Sequence, residues 1–316
     1  MIISASRRTD IPAFYAEWFI KRIQGGYCTV PNPFNRKQIT TVSLTSADVD
    51  VIVFWTRNPR PLMPHLPILD EQGLKYCFQY TLMGNPKQID PLSPNLDASL
   101  EAFSALSDQI GADKVIWRYD PLLFSQITHA GYHVRQYEKI ASALEGKTHR
   151  SVISIVDEYA KNKGQFRSMA EAGIKVEQPQ VDQPGFMDCI REIVAIAANY
   201  EMVIFSCAED LDLTLLGVKP GKCIDDDYIQ KVFGINVTGT KDPNQRKPCG
   251  CVVSKDIGMY NTCLYGCQYC YATRSLKSAK NNQAKHDPDS PSLLGWYVPE
   301  PSGGKDKDDT DQLSLF

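Results

Sequence analysis

Up to about residue 210 the chain alternates two hydrophobic patterns. Short apolar and β-branched runs cover Ile2 to Ser6, Val49 to Thr56, Lys75 to Leu82, Val115 to Tyr119, Val152 to Val156 and Met202 to Cys207. Between them, apolar positions recur at helical spacing in Pro12 to Gly25, Asp97 to Ile110, Val134 to Leu144 and Met187 to Ala198. Near-continuous apolar runs of this length read as strands covered on both faces, and the 3.6-residue period as helices with one buried stripe. Repeated strand and helix units predict an α/β fold with a parallel sheet. Six such units suit a partial (β/α) barrel, TIM-like. An open doubly wound sheet competes, although no G-x-G-x-x-G follows an early strand to mark a dinucleotide fold.

In barrels the chemistry sits at the C-terminal ends of strands, and here those ends are polar. They read Ser6-Arg7-Arg8-Thr9-Asp10, Trp55-Thr56-Arg57-Asn58, Gln79-Tyr80-Thr81, Arg118-Tyr119-Asp120, Ser154 to Asp157 and Ser206-Cys207-Ala208-Glu209. Arg7, Arg8, Arg57 and Arg118 are costly to desolvate without anionic partners. Such partners are either the phosphate or carboxylate of a ligand, or the chain's own Asp10, Asp120 and Asp157. Pro12, Pro59 and Pro121 are expected to open the next helix or loop. The turn-rich Val30 to Asn35 reads as a connection, and the five histidines as surface residues.

After Glu209 the helical period fades while glycine, aspartate and cysteine rise. This divides the chain into a barrel-like domain over 1–210, a cysteine-rich segment over 211–287 packed on the barrel mouth, and a flexible tail over 288–316. The whole has 316 residues, 43% hydrophobic and 22% charged, the make-up of a soluble globular protein. No apolar run approaches the ~20 residues that span a membrane. No charged-then-apolar leader opens the chain, so a cytoplasmic protein is expected, in which ten cysteines point to metal rather than disulfides. The net charge of −3 argues against a general nucleic-acid coat, but 241–285 carries eight Lys or Arg against two Asp. That local excess is able to steer an anionic partner.

The densest chemistry is Cys263-Leu-Tyr-Gly-Cys267-Gln-Tyr-Cys270. Three thiolates from one loop are one short of the four of a closed zinc site or an electron-transfer [4Fe–4S] cluster. A cubane so held keeps one iron open; a zinc ion borrowing its fourth ligand is the alternative. Cys207, Cys223, Cys249 and Cys251 are enough for a second site, holding a fully ligated [4Fe–4S] cluster or zinc, unless they are unligated thiols. Cys28, Cys77 and Cys189 read as structural.

The triplet, with Tyr269 before its last cysteine, resembles the signature of radical S-adenosylmethionine enzymes. That resemblance implies that the open iron holds S-adenosylmethionine, that a flavodoxin- or ferredoxin-like donor supplies an electron, and that a 5′-deoxyadenosyl radical results. It makes Tyr269 and the four arginines candidate cofactor-binding groups. Family members normally carry the triplet after the first barrel strand, whereas here it follows the last, and no Gly-Gly-Glu follows an early strand. Tyr271-Ala272 after Cys270 is similar to spore photoproduct lyase, which acts on DNA. The chain from 1 to about 275 also resembles family 1848 among domains of unknown function, through Ser4 to Asp10, Val53 to Pro59, Val115 to Pro121 and Gln245 to Tyr271. The last five residues, with Gln312, Leu313, Leu315 and Phe316, are similar to the motif that docks on the bacterial sliding clamp. The leading expectation is a radical enzyme acting on DNA or another nucleic acid; a radical enzyme acting on a phosphorylated or carboxylated metabolite and a non-enzymatic iron–sulfur or zinc binding module are the alternatives.

Overall fold

The computed structural model describes residues 1–33, 35–159, 161–180 and 183–298. In chain order they form β1 (Ile2–Ala5), α1 (Ile11–Phe14), α2 (Ala16–Gly25), β2 (Tyr27–Pro31), β3 (Ile39–Ser43), β4 (Val51–Thr56), α3 (Leu66–Glu71), β5 (Tyr76–Thr81) and α4 (Leu96–Ile110). There follow β6 (Val115–Leu122), α5 (Ala130–Ala143), β7 (Arg150–Ile155), α6 (Lys163–Glu171), α7 (Pro184–Asn199), β8 (Val203–Ser206), α8 (Asp226–Phe233), β9 (Lys255–Asp256) and α9 (Leu276–Gln283).

Seven strands form one parallel sheet in the order β8-β7-β6-β5-β4-β1-β9. Leaving aside the antiparallel hairpin β2–β3, each strand from β1 to β8 adds beside its predecessor. A doubly wound sheet would reverse this order at a switch point; none occurs from β1 to β8, and only the two-residue β9 is added on the other side of β1. The α/β expectation holds with β8 and β9 as the sheet's two ends.

Alternation along the strands assigns the two faces. Phe54, Phe78, Tyr80 and Trp117 point to the helical side, where Phe78 stacks on Phe54 at 4.7 Å, Tyr80 on Phe103 of α4 at 5.0 Å, and Trp117 lies 4.5 Å from Tyr137 of α5. On the opposite face Ile2, Val51, Val53 and Cys77 pack against Ile224, Ile229 and Val252. The cysteine-rich segment therefore covers the face that the helices leave open, and contributes β9 to the sheet. Gly258 marks the closest approach. A Cβ there would lie 2.1 Å from Ser6 Oγ, so only glycine lets the chain after β9 run against the end of β1.

Several expectations change. Val30 and Pro31 belong to β2 rather than to a connection, and Pro121 lies inside β6. His133 is fully buried, because α5 presses it against β6: its Nδ1 faces the Tyr119 hydroxyl at 3.1 Å and its Nε2 the Leu123 carbonyl at 3.1 Å. Residues 288–298, expected in the flexible tail, pack on α2 and the hairpin. Trp18 Nε1 donates to the Ser290 carbonyl at 3.0 Å, the Thr29 N–H donates to the Pro291 carbonyl at 2.9 Å, and Leu293 is buried. The segment has too little apolar area to fold alone but borrows that of α2 and β2. The motif with Gln312, Leu313, Leu315 and Phe316 lies outside the described residues. Among the described residues no helix is long and apolar enough to cross a membrane. Cys28, Cys77 and Cys189 are buried, and burial pushes each thiol up to about 12.

Gly258→Ala should lower stability by about 1–3 kcal/mol through overpacking, whereas Gly164→Ala in α6, where an added Cβ meets nothing within 4 Å, should be neutral or stabilising. Urea unfolding of the two variants checks this.

Burial lowers His133 from 6.5 to about 4. The unfolded chain takes up this proton as the pH falls below about 6.5 and the folded chain only near 4. Stability should therefore fall by about 3 kcal/mol as pH drops through that window, and be indifferent to His133 above it. Unfolding midpoints of the wild type and His133→Gln between pH 7 and pH 4 should show a flatter slope in the variant.

Candidate functional site

The strand ends meet the cysteine-rich segment at a cavity of about 300 Å³. Its floor is the C-terminal edge of the sheet: Ser6 to Asp10 after β1, Trp55 to Arg57 from β4, Thr81 from β5, Arg118 to Pro121 from β6, and Ser154 to Asp157 from β7. Its walls carry seven cysteines, in two sets.

The first set is Cys263, Cys267 and Cys270. Their loop is fastened at its backbone. The Tyr15 hydroxyl donates to the Thr262 carbonyl at 2.8 Å, Gln268 N–H to Ile89 at 3.0 Å, Asn162 Nδ2 to Tyr269 at 3.0 Å and Gln165 Nε2 to Cys270 at 3.3 Å. These bonds bind the loop to α1, to the stretch after β5 and to α6, leaving the thiols to face the cavity. Burial raises all three, Cys263 to about 12. Thiols so placed make poor nucleophiles, and a cation among them is what would draw off their protons.

The second set, Cys207, Cys223, Cys249 and Cys251, lies on the opposite face of the sheet from the helices. Cys207 follows β8 and Cys223 Sγ lies 2.8 Å from its sulfur. The Val252 N–H donates to the Ile224 carbonyl at 3.2 Å, which sets Cys251 beside Cys223. Gln79 Nε2 in β5 donates to the Cys223 carbonyl at 2.8 Å. The four share protons: the Cys223 thiol donates to Cys207 and lowers it to about 7, with Arg118 helping, while Cys223 and Cys249 hold Cys251 well below its ordinary value and are themselves raised.

No three of the seven sulfurs lie within 4.8 Å of one another. Among the described residues, the carboxylates of Asp225, Asp226 and Asp227 are the only three His, Cys, Asp or Glu donors within 4.8 Å of one another, and they are engaged by Arg150 and Lys222. Within the second set the sulfurs are unevenly spaced, with those of Cys207 and Cys223 only 2.8 Å apart.

A model of the domain of unknown function DUF1848 matches residues 2–272. The chain belongs to the DUF1848 family. No curated protein matches it.

In this DUF1848 chain three of the four strand-end arginines are committed to carboxylates. Arg8 bonds Asp256 through Nε at 3.1 Å and Nη2 at 3.0 Å. Arg57 Nη1 meets Asp90 at 3.1 Å and Ser93 at 3.2 Å, and its Nη2 donates to the Tyr269 hydroxyl. Arg118 grips Asp120 with Nε and Nη2 and reaches Cys223 Sγ with Nη1 at 3.0 Å. Internal pairing thus accounts for these, although only Asp120 of the three expected aspartates takes a strand-end guanidinium. Asp10 accepts the Arg57 backbone N–H at 2.7 Å, and Asp157 pairs with Arg246 at 2.6 Å. Arg7 differs: its Nη2 is buried with no hydrogen-bond partner, and its guanidinium lies 5.3 Å from the centre of the Trp55 ring.

Two groups escaped the reading of the sequence. Asp256 accepts from the Ser4 and Ser6 hydroxyls at 2.8 and 2.7 Å and from the Arg7 and Gly258 backbone N–H at 2.9 and 3.0 Å, besides Arg8. Burial opposes its charge, but Arg8 and these donors hold it at about 2. Asp90 gathers Arg57, Asn85 and Tyr269 around one oxygen. Both sit in loops or short strands, where no periodicity marks them. Glu209, read at a strand end, accepts the Ile155 N–H at 2.7 Å and is raised to about 8 by burial.

Asp256→Asn leaves Arg8 buried without its counter-charge, a change that costs about 3–5 kcal/mol. Denaturant unfolding should show that loss, and a midpoint equal to wild type would show that Asp256 does not hold β9 to the end of β1.

Proposed function

We propose that this chain is a radical S-adenosylmethionine-like iron–sulfur enzyme whose catalytic cluster is held by Cys263, Cys267 and Cys270. In this reading the sheet is a partial (β/α) barrel and the cavity its mouth. The observation that carries it is the placing of three thiols at C-x3-C-x2-C spacing, from one fastened loop, in a buried cavity at the C-terminal ends of parallel strands. A [4Fe–4S] cluster held by these three thiolates would offer S-adenosylmethionine an open iron and would pass it one electron, taken from a flavodoxin- or ferredoxin-like donor, so that the sulfonium would part into methionine and a 5′-deoxyadenosyl radical.

The chain's own residues provide the setting. Asp90 and Ser93 lock Arg57, whose charge faces Cys267, so a fixed cation lies beside the thiolates and favours their deprotonated form. Tyr269 closes that wall, its hydroxyl held by Arg57 and Asp90. Tyr265 is buried beside Phe14 at 4.7 Å between ring centres and shields the loop from water. A cavity of about 300 Å³ lies at the small end of ligand sites. It favours a substrate group the size of a single metabolite or one extruded base over a folded polymer surface. The nucleic-acid version draws its support from the clamp-like motif at 312–316 and the basic run over 241–285.

After anaerobic reconstitution and reduction, the wild type should convert S-adenosylmethionine to 5′-deoxyadenosine, read by mass spectrometry, and Cys263→Ser, Cys267→Ser and Cys270→Ser should each abolish it. A reconstituted protein that carries zinc and no sulfide at the triplet overturns the proposal.

A further inference from the structure

We infer that Cys207, Cys223, Cys249 and Cys251 hold a second, fully ligated [4Fe–4S] cluster on the other wall of the same cavity, with Arg118 and Arg7 as its N–H donors. The inference does not rest on the triplet. It rests on what surrounds the four sulfurs.

Iron–sulfur clusters are tuned by hydrogen bonds to their sulfurs, and this site carries such donors already aimed. Arg118 Nη1 lies 3.0 Å from Cys223 Sγ, and the Cys223 and Ile224 backbone N–H groups point to Cys251 Sγ at 3.3 and 3.4 Å. A buried cation directed at a neutral thiol gains little, whereas the same cation directed at a thiolate is strongly favoured. Arg7 is the second observation. Its Nη2 is buried without a partner, and a buried donor left unpaired costs about 1–3 kcal/mol. Cys251, Asp256, Cys223 and Cys249 lie close enough to act on its charge. Inorganic sulfide between those cysteines is an acceptor where the chain itself supplies none.

The ligands are also anchored to separate parts of the fold. Cys207 follows β8, its N–H bonded to the Ile153 carbonyl at 2.9 Å; Cys223 is tied to β5 through Gln79; Cys251 is tied to Asp242 by a 2.9 Å backbone bond. Arg246 holds the turn leading to Cys249 against the end of β8, donating to the Ala208 carbonyl at 3.1 Å. No three of the four sulfurs lie within 4.8 Å of one another, yet those of Cys207 and Cys223 are 2.8 Å apart, so a zinc ion and a cluster alike would rearrange them, and it is the aimed N–H donors, not the spacing, that favour a cluster. With every corner ligated, such a cluster exchanges single electrons and binds nothing at iron.

The test uses the full chain, reconstituted anaerobically with ferrous iron and sulfide and then desalted. In Cys263→Ala/Cys267→Ala/Cys270→Ala, about four iron and four sulfide should remain, with an electron paramagnetic resonance signal on reduction that S-adenosylmethionine leaves unchanged. Adding Cys249→Ala/Cys251→Ala should remove both. Retention of no iron, or of zinc without sulfide, by the triplet variant overturns the inference. Should that variant fail to fold by circular dichroism, the wild-type count decides the same point: about eight iron and eight sulfide support two clusters, about four and four refute them. Arg118→Gln in the triplet background should lower the midpoint potential of the remaining cluster, since it removes a positive charge and an N–H donor; an unchanged potential tells against Arg118 as its donor.

Discussion

The buried carboxylate of Asp256 joins the beginning of the chain to its end. A charge taken out of water is tolerated only with its hydrogen-bonding capacity filled. Here the side chains of Ser4, Ser6 and Arg8 and the backbone of Arg7 and Gly258 fill it. All but one of those donors come from the end of β1. The consequence is positional: β9 must run parallel beside β1, with Ile3 opposite Lys255 and Ser4 opposite Asp256, and the cysteine loop that follows must start at the C-terminal edge of the sheet. A triplet that follows the last strand in sequence reaches the first strand's mouth by this joint.

Six of the seven strands of the main sheet were legible because each is a continuous apolar or β-branched run covered on both faces; the two-residue β9 has no such run. What covers the second face was not legible. Ile224, Ile229 and Val252 are isolated apolar residues among polar ones, and only the sheet brings them together with Ile2 and Val53. The hairpin β2–β3 was missed for a related reason: Pro31, Asn32 and Pro33 signal a turn, and the turn exists, but it joins two strands that pair with each other outside the main sheet. His133 lacked any local sign of burial, since its partners Tyr119 and Leu123 lie on another element.

The candidate site shows the same division. Cysteine spacing within one loop is a local property, so the triplet could be read directly. Cys207, Cys223, Cys249 and Cys251 come from separate places, and their convergence depends on Gln79 reaching the Cys223 backbone and on Val252 pairing with Ile224. The strand-end arginines were visible as charges that need partners. Which carboxylate each finds was not, because Asp90 and Asp256 stand in segments without periodicity, and the expected Asp10 and Asp157 turn to a backbone amide and to Arg246 instead.

The arginines also separate the two cysteine sets electrostatically. Beside the triplet, Arg57 is matched by Asp90, a near-neutral pair. Beside the quartet, Arg118 is matched by Asp120 but Arg7 keeps a donor with no acceptor, so that wall carries the larger positive excess. The same cluster core held by four thiolates bears one more negative charge than when held by three. The greater excess of cation therefore lies where the greater anionic charge would be. On the sulfurs themselves, Cys207 and Cys251 are lowered chiefly by the thiols of Cys223 and Cys249, with Arg118 and Arg7 adding to it, while Cys223 and Cys249 are themselves raised; burial raises Cys263, Cys267 and Cys270 despite Arg57. Two of the four quartet sulfurs are thus held toward the thiolate by their neighbours, whereas burial keeps all three triplet sulfurs toward the thiol.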